Sequence, residues 1–134
     1  KDTIFLATEV KEELLFKDVP EKDRIEKFLL GKNIKILNVN KNLKFSNALG
    51  KGEIATINLA LENKIPYVLM DDRRGRCLAE IQNLKPRGTL WIILRAYKKS
   101  LINKSQAQDL IYELPAIGFR INQEFLFQVL KKLT

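Results

Sequence analysis

The pattern of apolar and polar positions changes period several times along the chain, and each change marks an expected element. Ile4-Phe5-Leu6 is a short apolar run that reads as a strand. Thr8 followed by Glu12 and Glu13 suits a helix start with Thr8 as N-cap, and Val10, Leu14 and Leu15 have helical spacing. Val19-Pro20 breaks this pattern. A second helix is expected from about Glu21, with Ile25, Phe28 and Leu29 on one face and Gly31 ending it. Asn33 to Val39 alternates as a strand, and the polar run Asn40 to Lys51 reads as a loop or a short helix.

From Gly52 the period becomes helical, with Ile54, Ile57, Leu59, Ala60 and Leu61 as the apolar positions. Asn63-Lys64-Ile65-Pro66 stops it. Tyr67-Val68-Leu69-Met70 is short and uniformly apolar, as expected of a buried parallel strand. A helix follows, with Cys77, Leu78 and Ile81 expected to face inward, then a short strand over Leu84 to Gly88. Thr89 is the expected cap of an apolar helix to about Tyr97, and Gln106 to Leu114 and Asn122 to Leu133 read as two further helices. Strands alternating with helices predict an α/β domain with a central parallel sheet. Ligands of such sheets gather at the carboxyl ends of the strands, where Asp71 and Asp72 fall.

Composition narrows the chemistry. At 134 residues one domain is expected, and no apolar run approaches the roughly 18 to 20 residues that cross a bilayer. The chain starts at Lys1 rather than Met, so part of its beginning is expected to be missing. The single cysteine, Cys77, has no partner for an internal disulfide and is expected as a small buried hydrophobe in a reducing cytoplasm. There is no histidine. That removes Ser–His and Cys–His nucleophile pairs and imidazole-ligated zinc. Acid–base or metal chemistry must then use carboxylates, lysine or tyrosine. The net charge of +8, from 24 basic and 16 acidic residues, favours a polyanionic partner such as nucleic acid, or else a solvated basic surface.

Three acids stand where folding can join them: Glu53 in the first turn of a helix, and Asp71 and Asp72 after a buried strand. Each has a plain structural role available. An acid in the first turn interacts favourably with the helix dipole by roughly 0.3–1 kcal/mol, and an N-cap such as Asp72 is worth about 1 kcal/mol. Two adjacent acids at a buried strand end are harder to explain, because an unpaired charge there is costly. A hard divalent cation offsets that cost with oxygen ligands. Arg73, Arg74 and Arg76 follow at once, either to contact phosphate bidentately or to neutralise the acids. Arg76, one helical turn from Asp72, is the favoured phosphate contact. Trp91, with Leu90, Ile93 and Leu94, reads as core or dimer interface ahead of base stacking. Phe125, Phe127 and Leu130 read as packing or interface, and the lysines near the ends of the later helices as solvated.

The segments GKGEIATINLALE, YVLMDDRRGRCLAE, LKPRGTLWIILRAYKKSLI and IGFRINQEFLFQVL, in that order and spacing, resemble the PIN-domain superfamily. The nearest branch is the prokaryotic PIN-like proteins related to VapC-type toxins. The resemblance runs from about Ile4 to the C-terminus. It implies a three-layer α/β fold, a central parallel sheet flanked by helices, with an acidic pocket for Mg²⁺ or Mn²⁺. On this sequence it assigns Glu53 as the helix-borne acid and Asp72 as the acid after the fourth strand, with Asp71 as alternative or second ligand. Arg76 and Arg73 stay the candidate contacts to substrate phosphate on their own chemistry, with neutralisation of the acids as the alternative.

PIN domains open on a strand bearing an essential Asp followed by an apolar helix, whereas this chain starts at what resembles the second strand. Asp2 does not fit that first acid, because the segment Thr8 to Leu15 is charged. A single PIN-like domain over residues 1–134, lacking roughly twenty to thirty residues at its start, is the expectation, or else a degenerate member. The resemblance implies a metal-dependent endoribonuclease acting on RNA, a toxin paired with an antitoxin protein, and a homodimer. The competing readings are a catalytically inactive interaction module and a plain nucleic-acid binder.

Overall fold

A computed structural model describes residues 2–40 and 49–133. The chain divides into two compact units, Lys1–Pro86 and Arg87–Thr134. In the first, β1 (Ile4–Ala7) runs parallel to β2 (Ile34–Leu37), with Ile4 opposite Ile34 and Ala7 opposite Leu37. Parallel neighbours need a long crossover, and α1 (Thr8–Phe16) and α2 (Lys22–Leu29) supply it. The expected loop after Asn40 lies mostly outside the described residues. Then come α3 (Lys51–Glu62), β3 (Tyr67–Leu69), α4 (Arg73–Ile81) and β4 (Lys85–Arg87). Among the described residues the strands pair two by two, β1 with β2 and β3 with β4.

Helix α3 joins these pairs, touching both β1 and β3. Ala55 and Leu59 pack with Ala7, flanked by Phe5, Val10, Leu37 and Val39. Ile57 and Ala60 pack with Val68, Met70, Ala79 and Leu84. Two buried faces explain why its apolar positions do not form one narrow stripe: a helix covered on several sides is apolar nearly all round.

Several local expectations are corrected here. Ala7, not Thr8, is the N-cap of α1. The Thr8 hydroxyl instead lies 3.2 Å from the Leu37 carbonyl and 2.6 Å from Asn38 Oδ1, tying the ends of β1 and β2 together. Strand β3 is buried on one face only: Val68 is buried, whereas Tyr67 and Leu69 are 50% and 48% exposed. Alternate residues of a strand face opposite sides, and among the described residues one side is covered fully and the other only in part. In α4, Gly75 and Ala79 are buried and Leu78 packs against the core, a stripe of i, i+3 and i+4. Cys77 and Ile81 fall off that stripe. Cys77 is exposed, and Ile81 is 71% exposed. Gly88 takes the cap position of the next helix, so Thr89 does not cap it.

The second unit is helical. It holds α5 (Thr89–Lys98), α6 (Lys104–Glu113), a 3-10 turn (Pro115–Ile117) and α7 (Gln123–Lys131). Its core is Ile93, Ala107, Ile111, Leu114, Val129 and Leu133. Asn103 and Gln106 form a reciprocal capping box, so α6 starts earlier than the apolar pattern alone suggests. Asn122 caps α7 through the Phe125 N–H at 2.7 Å. Leu130 packs on this core, whereas Phe125 and Phe127 are 48% and 61% exposed. Among the described residues no helix is long and apolar enough to cross a membrane.

Candidate functional site

The start of α3 collects two carboxylates. Its cap residue is Gly50, which offers no side chain to the first N–H groups. Glu53, half-buried in the first turn, curls back over them: a Cβ placed on Gly50 would stand 2.5 Å from Glu53 Oε2. Glu13 reaches the same place from α1 and accepts the Gly52 N–H at 3.0 Å. A Cβ on Gly52 would lie 2.6 and 2.7 Å from the two Glu13 oxygens. A side chain at position 52 would displace the Glu13 carboxylate from the backbone, which glycine lets approach so closely. The positive end of the helix dipole favours this concentration of negative charge.

Asp72 arrives from the other side. It leaves β3, caps α4, and accepts the Gly75 N–H at 2.8 Å. Gly75 is buried, and a Cβ on it would collide with Met70 Sδ and stand 3.4 Å from Glu53 Cγ. The Asp72 cap and the Glu53 stem therefore meet at one residue. The Glu53 carboxylate itself lies over Gly50, so it is the side-chain stem of Glu53 that borders the Asp72 cap.

Glu13 is the acid that sequence reasoning missed. It follows Val10 by three positions and immediately precedes Leu14, so it borders the apolar edge of α1. That border was the available signal, but only the packing of α1 on α3 turns it into a site residue. Asp71 goes elsewhere. With Arg73, Arg76, Cys77 and Glu80 it lines a shallow open depression of about 240 Å³, which neither Glu53 nor Asp72 lines.

Among the described residues, no three acidic or cysteine side chains come close enough to hold one cation. Glu13 and Asp72 are each engaged with a backbone N–H. The donor set nonetheless fits a hard divalent cation in kind, being all carboxylate oxygen.

This acidic junction between a strand end and two helix starts lies on a chain whose residues 1–134 match a family model, DUF3368, described as a PIN domain. The chain belongs to this PIN-domain family. No curated protein and no solved structure matches it. PIN membership carries a nuclease-type fold in general, and the parallel β1–β2 pair and helical crossover agree with an α/β class. A carboxylate cluster without histidine can bind a cation, orient water and accept a proton from it. It lacks any imidazole to do the same work.

Proposed function

We propose that this PIN domain is a metal-dependent endoribonuclease of the VapC type, built as a three-layer PIN-like fold. Glu53, Asp72 and Glu13 are the residues that would hold Mg²⁺ or Mn²⁺, and they would have to draw closer together than they stand to do so. The observation that carries the reading is the meeting of Glu53 and Asp72 at Gly75. When bound, a divalent cation supplies charge that stabilises a phosphodiester transition state and acidifies water.

The protein's own residues divide the remaining work. The Glu53 carboxylate, packed over the start of α3, is held in position to orient water and take up its proton. Asp72 must release the Gly75 N–H, or share it through its second oxygen, to ligate a cation. Arg73 and Arg76, on the exposed side of α4, contact substrate phosphate through their planar guanidinium donors. Asp71 lies among those arginines and holds them in place between substrates, or serves as a second ligand once RNA draws them away. An antitoxin protein and a second copy of the chain are the proposed partners, in a reducing cytoplasm.

The test is cleavage of an end-labelled RNA mixture with Mg²⁺ or Mn²⁺. Cleavage that depends on the cation and is lost in Glu53→Gln supports the reading. Cleavage that survives Glu53→Gln combined with Asp72→Asn contradicts it. A second reading, a catalytically inactive PIN-like interaction or nucleic-acid-binding module, is favoured by the capping roles already occupied by Glu13 and Asp72. It expects RNA binding with no cleavage under either cation.

A further inference from the structure

The positive charge is unevenly spread. From Arg87 to Gln108 the sequence has four basic residues besides Arg87 and no acidic one, out of a net charge of +8 for the whole chain. Within this stretch stands Trp91, the chain's one tryptophan. Its sequence reads as core or dimer interface, and it lies outside the apolar cluster of its unit, which takes Leu90, Ile93, Leu94 and Tyr97 from the same helix. Trp91 is half-buried. The Arg95 guanidinium stands over its ring at 5.1 Å from the centroid, and the Arg87 guanidinium at 6.0 Å.

Residues 91, 95 and 98 recur at i, i+4 and i+7, so Trp91, Arg95 and Lys98 share one stripe of α5. Arg87 reaches the same ring from just before the helix. Arg95, Lys98 and Lys99 are exposed. An indole with two guanidiniums near its ring, and ammonium groups continuing the line, is what a flexible polyanion with flat rings requires. Phosphates pair with the cations, and a base stacks on the indole or on a guanidinium plane. A stripe serving only solubility would have no reason to hold a tryptophan in the middle of its cations.

We propose that the Arg87–Trp91–Arg95–Lys98 stripe of α5 is a binding surface for single-stranded nucleic acid. It rests on the nuclease reading only for the choice of RNA over other polyanions, and it stands on residues separate from the acidic junction. Duplexes offer no open base to Trp91, so unpaired strands are the preferred form.

Because Trp91 is the sole tryptophan, its emission reports on this surface directly. The full chain is titrated with an unlabelled single-stranded RNA dodecamer in EDTA, so that no cleavage intervenes. Labelled-oligonucleotide anisotropy is followed in parallel. The expected result is quenching of Trp91 emission that tracks the anisotropy. The log of affinity should fall with log salt at a slope of about −2 to −3, for three or four phosphate contacts on a single strand. Arg95→Gln with Lys98→Gln should weaken binding about tenfold, and Trp91→Phe, which keeps a stacking ring, by less than Trp91→Ala. Circular dichroism checks that each variant keeps the wild-type helical content.

Binding seen by anisotropy with no change in Trp91 emission overturns the proposal, as does wild-type affinity in the Arg95→Gln/Lys98→Gln variant. Equal quenching by polyglutamate also overturns it, since the surface would then read charge alone. An RNA that quenches Trp91 but is never cleaved with Mg²⁺ supports the surface while refuting the nuclease reading. Cleavage with no quenching does the reverse.

Discussion

Gly75→Ala probes the junction on which the site depends. The added methyl meets Met70 Sδ at a distance no real pair of atoms adopts, Met70 Cγ at 3.3 Å and Glu53 Cγ at 3.4 Å. Met70 is 8% exposed and belongs to the core with Ile57, Val68 and Ala79, so its thioether has little room to retreat. Forcing an extra methyl into packed surroundings costs roughly 1–3 kcal/mol. Alanine returns part of this, up to about 1 kcal/mol, because it favours helix over glycine. The return is small here, because Gly75 lies in the first turn. The balance is a destabilisation of roughly 0.5–2 kcal/mol, a fall in Tm of about 2–8 °C for a chain of this size. Calorimetry or circular dichroism melting reads the stability. The same substitution pushes on the Glu53 stem, so cation-dependent RNA cleavage should fall by more than the lost folded fraction explains. A variant with raised Tm and unchanged cleavage would refute the close packing of α4 on Glu53.

Three further outcomes follow from the same geometry. Gly118 has φ of 90°, and a methyl added there would meet nothing within 4 Å; Gly118→Ala should cost about 1 kcal/mol through backbone strain alone, lowering Tm without changing cleavage. Asp72→Ala should lose about 1 kcal/mol of cap stability, whereas Asp72→Asn, which still accepts the Gly75 N–H, should keep it; both should lose cleavage, which separates the cap from the site in paired melting and activity assays. Asn103→Ala removes one half of the α6 capping box and should cost roughly 0.5–2 kcal/mol in chemical denaturation, with cleavage intact.

What the sequence made legible was local. The cap role of Asp72 and the first-turn place of Glu53 follow from their neighbours within one helical turn, and both are found where expected. The crossover of α1 and α2 between parallel strands was also readable from the period changes. Burial was less so. Cys77 and the uniformly apolar β3 looked buried because their apolar character was visible, but the number of layers covering them was not. Tyr67 and Leu69 share a face that stays about half exposed, with the Lys85 ammonium over the Tyr67 ring, while Val68 turns inward. Glu13 shows the same limit for function. Its partner, the Gly52 N–H, is 39 positions away, and no local pattern encodes that approach. Thr8 looked like a cap from its position before two acids, yet its hydroxyl serves a strand end 29 residues on.

The proposed cation site requires Glu13, Glu53 and Asp72 to draw together at the starts of α3 and α4, since among the described residues no three such side chains are close enough to hold one cation as they stand. Manganese binding followed by electron paramagnetic resonance tests it most directly, since it needs no substrate and no turnover. The expected result is one Mn²⁺ per chain, with affinity reduced at least about tenfold in each of Glu13→Gln, Glu53→Gln and Asp72→Asn, for loss of one charged oxygen ligand. Wild-type Mn²⁺ affinity in all three variants would contradict it.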